Sequence, residues 1–360
     1  MMSQDRLRTA ILGLTDKGRQ LLEAAGATGL FDIVAVADAD LELAERVARR
    51  YEAEALDDYR QLVIQNQLDV LLVADPMYLC DEHVRAAMKK KFNILKLIPP
   101  ALDFEQTAEL VHLAKSEKVR FAAANSHRFC TGFRKLKDYL ESKDTKDIHL
   151  ITAVNNLSRD LDCPSERWLS DPRLAGGGVL LRNCYELFDL IVRSFGIPQQ
   201  VYCVNTSQAP DKQQRLSITE DTAVVTMKFS DTLVANLVAS RVFGPPRKML
   251  RMNSEKEFWT ASDNNLTVWD NLGNVIDRFE AESSETEATA EMLENFAQIL
   301  LSPDKNRFGS EENSILDNMA VIESAYLSAR TAMPEEPAKI LDMVKTGPKN
   351  IWPTTTQKNV

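Results

Sequence analysis

The segment Arg8-Thr9-Ala10-Ile11-Leu12-Gly13-Leu14-Thr15-Asp16-Lys17-Gly18 decides how this chain is read. A short apolar run ending at Leu12 enters a turn bounded by two glycines, and Leu21, Leu22 and Ala25 then recur at helical spacing. The pattern predicts strand, turn and helix in direct succession. A second buried strand follows at Ile33-Val34-Ala35-Val36-Ala37. It ends in Asp38 and leads into an amphipathic helix carrying Leu41, Ala44, Val47 and Ala48.

The alternation continues with strands at 70–74, 93–98 and 119–124 and helices at 80–90 and 104–116. Strands alternating with helices of this length indicate an α/β unit with a doubly wound parallel sheet, expected over residues 1–125. Pro99-Pro100 stops the strand before it, because neither residue offers a backbone N–H. From residue 126 to 345 the pattern is α+β. Helices are expected at 133–141, 180–194, 288–301 and 311–331, with an antiparallel hairpin of 222–229 and 233–240 turning at Ser230-Asp231. A strand-like run over 249–279 completes an open, mainly antiparallel sheet. Residues 208–217 read as a polar loop. The tail 346–360, with Pro348 and Pro353, is too poor in apolar residues to fold alone.

A chain of 360 residues with 44% apolar content suits about two domains. The balance of 43 basic and 53 acidic residues gives a net charge of −10, which disfavours nucleic acid and anionic lipid and favours small molecules. No charged leader precedes an apolar stretch, and no run nears the ~18 residues of a membrane span. A cytoplasmic protein is therefore expected. Five scattered cysteines without a CxxC pair suggest reduced thiols. The four histidines are dispersed and match no zinc spacing, so no metal is expected.

In a dinucleotide-binding turn the first glycine makes the bend, the second admits the pyrophosphate, and the third lets helix and strand pack closely. Gly13 and Gly18 hold the first and third positions, and Thr15 holds the second. Thr15 would crowd a phosphate, although its hydroxyl could donate to one and the helix N-terminus attracts anions. Asp38 lies where a carboxylate accepts from ribose hydroxyls and repels a 2′-phosphate, so NAD is expected over NADP. The bland alternative is a turn that binds no nucleotide, with Lys17 merely solvated.

Several segments in order carry a resemblance to the Gfo/Idh/MocA oxidoreductases, across residues 8 to 340. They are the Gly13 turn with Val36-Ala37-Asp38-Ala39-Asp40, then Asp57-Asp58-Tyr59, and the strand ending Ala74-Asp75-Pro76. Asn125-Ser126-His127-Arg128-Phe129, Arg167-Trp168 and Gly176-Gly177-Gly178 leading to Asp189 follow, with Glu323 to Ala329 near the end. The resemblance implies a Rossmann domain binding a nicotinamide cofactor, with Asp75 and Pro76 beside it. It also implies a second domain whose open sheet often mediates homo-oligomerisation. Substrates are typically sugars or polyols, and Arg128 and Asn183 fall among the residues that would meet them.

The catalytic positions depart from that pattern. Where the family usually has Glu-Lys-Pro, this chain has Leu97, Ile98 and Pro99. The aspartate and histidine that commonly follow the glycine triplet are replaced by Arg182 and Glu186. Arginine stays protonated and cannot be a base. Glu186, one helical turn away, is expected to pair with Arg182. Lys96, two residues before the lost lysine, would point to the same face about 6.6 Å deeper, unless it only snorkels or meets a carboxylate.

Glu186, Lys96 and Tyr185 are thus the available proton-handling groups, and Arg182 suits an anionic, sugar-like substrate through a forked hydrogen bond. His127 reads more simply as a solvated or hydrogen-bonded loop histidine, and Cys80 and Cys184 as inert thiols facing the cleft. Gly176-Gly177-Gly178 reads as a flexible turn near the substrate, with Asn183 and Tyr185 lining the pocket. The expected function is an NAD-binding oxidoreductase with a non-standard site. The alternative is a catalytically inactive sensor, regulator or scaffold on the same fold.

Overall fold

Apolar strands buried on both faces need helices on both sides, and the first 125 residues supply them in turn. The structure, a computed structural model, describes residues 6–141, 147–157, 168–207, 218–242, 244–281, 284–302 and 312–345. The elements of the first sheet and its helices run β1 (Leu7–Leu12), α1 (Asp16–Thr28), β2 (Phe31–Ala37), α2 (Leu41–Ala48), β3 (Glu54–Leu56), α3 (Tyr59–Gln65), β4 (Val70–Val73), α4 (Met77–Lys89), β5 (Asn93–Leu97), α5 (Phe104–Glu117) and β6 (Phe121–Ala124). All pairings are parallel, in the order β3-β2-β1-β4-β5-β6. The order reverses between β1 and β4, so a crevice opens at their carboxyl ends.

A 3₁₀ turn, Ser126–Phe129, links this sheet to α6 (Thr131–Glu141) and β7 (Ile148–Asn156). Three helices follow, α7 (Pro172–Ala175), α8 (Val179–Asn183) and α9 (Tyr185–Phe195). The second sheet continues with β8 (Gln200–Thr206), β9 (Thr222–Lys228), β10 (Val234–Ser240), β11 (Arg247–Ser254), β12 (Glu257–Ala261), β13 (Asn265–Asp270) and β14 (Val275–Glu280). The chain then forms α10 (Glu285–Leu301), α11 (Glu312–Thr331) and α12 (Pro337–Lys345). The eight strands are ordered β14-β13-β12-β11-β7-β10-β9-β8. Every pairing is antiparallel except that of β7 with β10.

The β9–β10 hairpin turns as the sequence predicts, with Phe229 N donating to Leu233 O at 3.0 Å. The strands β3, β7 and β8 and the helix α12 were absent from the sequence expectation, and β7 is a central strand of its sheet. Residues 208–217 and 346–360 lie outside the described residues.

The single helix expected over 180–194 is two. Cys184 leaves helical geometry at φ −112°, ψ 1°, and the Asn183 carbonyl accepts from the Asn155 side chain on β7. That lateral bond re-aims the chain before α9 begins. Helix α10 packs on α1, and α11 packs on α5 and α9, so one apolar core joins elements of both sheets. Among the described residues no helix is long and apolar enough to cross a membrane.

Candidate active site

The glycine turn sits at the mouth of the crevice. Gly13 has φ +86°, and a Cβ there would lie 2.1 Å from Asp75 Oδ1. A Cβ on Gly18 would lie 2.5 Å from Gly13 O and 2.8 Å from Ala74 Cβ. The two glycines therefore make the bend and the close helix–strand contact that a dinucleotide turn needs. The Asp38 carboxylate accepts from Leu14 N at 2.7 Å and from Asp40 N at 2.9 Å, which fixes it beside the turn with lone pairs to spare.

Thr15 is exposed at the turn. It is the N-cap of α1, its Oγ1 accepting from Gly18 N at 3.1 Å. Asp16 occupies the first turn and pairs with Arg19, which softens the pull of this helix terminus on an anion. Lys17 is exposed. Asp75 is buried, accepts from the Tyr59 hydroxyl, and is pushed above the usual carboxylate range by burial. Pro76 opens α4. The tight bend and Asp38 fit a nicotinamide dinucleotide.

Several side chains expected to work in the crevice do not reach it. Lys96 is 3% exposed, and its Nζ donates to Leu97 O at 2.8 Å. Burial above all, with the Arg182 charge acting in the same sense, lowers its pKa to about 8. Tyr185 is fully buried beside Asn318 and the Arg128–Asp189 pair, and burial raises its pKa. Cys80 and Cys184, expected to face the cleft, are also fully buried. Burial pushes the Cys80 thiol up to about 12 and raises Cys184 as well. Arg128, expected to meet substrate, has its Nε 2.6 Å from Asp189 Oδ2 and makes a second bond to Oδ1. Asn125 donates to the same carboxylate at 3.0 Å. This buried clasp ties the 3₁₀ turn to α9.

The glycine triplet is close-packed rather than a flexible turn. A Cβ on Gly176, Gly177 or Gly178 would lie 2.0 Å from Leu102 O, 2.1 Å from the Tyr326 hydroxyl or 1.8 Å from Glu220 O respectively. The loop presents α8, whose Arg182 lies over the Trp168 ring with its Cζ 4.4 Å from the centroid. The Tyr78 ring centroid lies 5.4 Å from that of Trp168. Arg167 is outside the described residues. Asn183 is half-buried, and its carbonyl is held by Asn155.

Glu186 does not take Arg182 as its partner. Its Oε1 lies 3.0 Å from Lys248 Nζ and 3.6 Å from His127 Nε2. Lys248 stands on the inner face of β11 in register with Asn155, two and four residues before the buried Leu250 and Met252. Its Nζ is 3.3 Å and 3.2 Å from the two ring nitrogens of His127 and 3.7 Å from Asp263 Oδ2. His127 Nδ1 is 3.2 Å from Asp263 Oδ1 and 3.9 Å from Cys130 Sγ.

Gly132 brings these groups together. A Cβ there would lie 2.1 Å from Ser262 O, and its N–H donates to Asp263 O at 2.9 Å, so the start of α6 rests directly on the β12–β13 turn. Of the two readings of His127, solvated or hydrogen-bonded, the structure shows the hydrogen-bonded one. Burial opposes its charged form, but Glu186 and the bond to Asp263 outweigh burial and raise its pKa to about 9. Burial likewise works against the Glu186 carboxylate, and His127 and Lys248 overcome it and hold that group below its ordinary value. The spacing of His127, Cys130 and Asp263 would admit a cation, and the cation present is the Lys248 ammonium. A strand read from Met249 leaves Lys248 outside it, whereas β11 begins at Arg247; the signal for Lys248 is its alternation with Leu250 and Met252.

Residues 7–125 match the family described as "Oxidoreductase family, NAD-binding Rossmann fold", and residues 133–259 match "GFO/IDH/MocA C-terminal domain". The D-glucoside 3-dehydrogenase of Escherichia coli K12 is 25% identical over 199 residues, 55% of this chain and 56% of that protein. The NADP⁺-dependent scyllo-inositol 2-dehydrogenase of Bacillus subtilis 168 is 26% identical over 198 residues, 54% of this chain and 60% of its own length. The chain thus spans somewhat over half the length of these curated relatives. Levoglucosan dehydrogenase in complex with NADH and levoglucosan superposes with a TM-score of 0.81 at 17% identity, over 92% of this chain and 99% of the other. An Agrobacterium radiobacter oxidoreductase in complex with NAD⁺, L-tartaric acid and magnesium gives 0.79 at 15% identity, over 93% and 99%.

Proposed function

Because the chain belongs to the Gfo/Idh/MocA oxidoreductase family, we propose that it is an NAD-dependent oxidoreductase acting on a small, sugar-like substrate that carries an anionic group. The observation that carries the cofactor reading is the carboxylate of Asp38, held by Leu14 N at 2.7 Å at the end of β2 and beside the glycine bend. Gly13, Gly18 and the first turn of α1 would hold the dinucleotide, and Asp38 its ribose hydroxyls. When bound, the nicotinamide supplies the hydride acceptor. On the substrate side, the Arg182 guanidinium, stacked on Trp168 beside Tyr78, suits a carboxylate.

The outer face of the second sheet supports a homo-oligomer. Leu150, Tyr202, Val204, Val224 and Val234 are all at least 36% exposed on neighbouring strands β7, β8, β9 and β10. A catalytically silent sensor, regulator or scaffold is the competing reading. It is favoured by Ile98 and Arg182, which stand where the resemblance to the family leads to an expectation of lysine and aspartate. A thermal-shift titration with NAD, NADH, NADP and NADPH separates the cases, since a ligand bound only by the native state raises Tm. A rise with NAD or NADH, followed by NADH formation from sugars or sugar acids, supports the oxidoreductase. No rise with any nucleotide favours the scaffold.

A further inference from the structure

We propose that His127 is the residue that exchanges the substrate proton, oriented for that task by Glu186 and Asp263 and backed by Lys248. This inference rests on the oxidoreductase reading and names the group that reading needs. Three observations carry it.

The first is position. His127 follows the carboxyl end of β6 by three residues, on the rim where open parallel sheets bind ligands. Its side chain is 13% exposed and that of Lys248 is 20% exposed, so both are reached by solvent. Lys96, Tyr185, Cys80 and Cys184 are all at or below 3% exposure and shut off from it.

The second is orientation. The imidazole is held at Nδ1 by Asp263 Oδ1 at 3.2 Å, while Glu186 Oε1 stands 3.6 Å from Nε2, beyond hydrogen-bond length, and leaves that nitrogen to exchange the proton. Carboxylates so placed fix the ring and stabilise its protonated form.

The third is charge balance. The groups facing His127 are Glu186 on α9, Lys248 on β11, Asp263 in the β12–β13 turn and Cys130 beyond its own 3₁₀ turn. Arg128, the next residue, is committed to Asp189. Two carboxylates hold two cationic groups that repel each other at 3.2 Å. One proton is therefore held less firmly than it would be in a simple ion pair. In substrate oxidation the carbinol C–H bond breaks with its electron pair passing to NAD⁺, and the hydroxyl proton passes to neutral His127. In reduction the imidazolium returns that proton to the carbonyl oxygen.

The test begins with ring ¹⁵N NMR of the apo chain over pH 5.5 to 10.5. Only four histidines are present, and H127N identifies the signal. Support is a midpoint well above that of a free histidine, moved down by E186Q and up by K248M. Turnover is then followed as NADH formation from D-glucose, myo-inositol, levoglucosan and D-glucuronate. H127N should lose about 100-fold or more in kcat, with NADH affinity by fluorescence unchanged. The acid limb of the wild-type kcat/KM profile, where falling pH protonates His127, should vanish in H127N and shift to lower pH in E186Q. An active wild type whose H127N variant keeps its rate and pH profile overturns the role of His127 and leaves the oxidoreductase intact. A His127 signal that titrates like free imidazole and ignores K248M also overturns it. A wild type that binds NAD yet turns over none of the four overturns both.

Discussion

The carboxylate of Glu220 accepts hydrogen bonds from Gly178 N at 2.8 Å and Leu180 N at 2.9 Å, and from the Tyr326 hydroxyl at 2.8 Å. One buried side chain thus satisfies the otherwise unpaired amides at the start of α8 and pins the loop that presents Arg182. Glu220→Ala leaves those donors buried without an acceptor, at a cost of about 3 kcal/mol. The drop in Tm should far exceed that of Tyr326→Phe, which removes one bond and keeps the carboxylate. Equal, small losses in both variants would show that water replaces Glu220 without penalty.

Lys96 gains little from its surroundings. Its folded pKa, about 8, lies below the ordinary 10.5, so below pH 8 the folded chain bears the full cost of a buried ammonium. Between about 8 and 10.5 the unfolded chain holds the extra proton, and stability should rise with pH. Lys96→Met should therefore raise stability at pH 7, on the order of 2 kcal/mol, and remove that rise. A destabilised variant, measured by urea unfolding, would mean that Lys96 has a partner worth more than its burial costs.

His127 acts in the opposite sense. Its folded pKa of about 9 lies above the ordinary 6.5, so its ion pairs contribute fully below pH 6.5 and fade as pH rises through 9. The Tm of the wild type should fall across this window relative to H127N. Parallel Tm profiles for the two proteins would contradict the charge pairing with Glu186 and Asp263.

Thr15→Gly trades a helix cap for room at the turn. Losing the bond to Gly18 N should cost only a few tenths of a kcal/mol, because glycine is itself tolerated at an N-cap. The open backbone should bind NADH several-fold more tightly, read by fluorescence titration. Weaker binding would assign the Thr15 hydroxyl to the phosphate.

Val204 and Val224 face each other across β8 and β9 on the open sheet and are 54% and 40% exposed. The double variant Val204→Glu, Val224→Glu should dissociate a homo-oligomer in light scattering while leaving the far-UV spectrum alone. An unchanged mass above that of one chain would move the interface elsewhere.

The sequence by itself determined every strand of the first sheet but the short, part-exposed edge strand β3, because strands buried on both faces must be continuous apolar runs and the crossovers between them must be helices. It also determined the glycine bend and Asp38, since these depend on local backbone geometry and a fixed distance along the chain. Only the tertiary structure decided which polar groups meet. His127 and Lys248 are 121 residues apart and His127 and Asp263 are 136 apart, and no local pattern couples residues at such range. The break at Cys184 has the same origin: the bond that causes it comes from Asn155, on a strand that the local pattern did not disclose. Because that break re-aims α9, Glu186 faces Lys248 and His127, whereas helical spacing alone had matched it to Arg182.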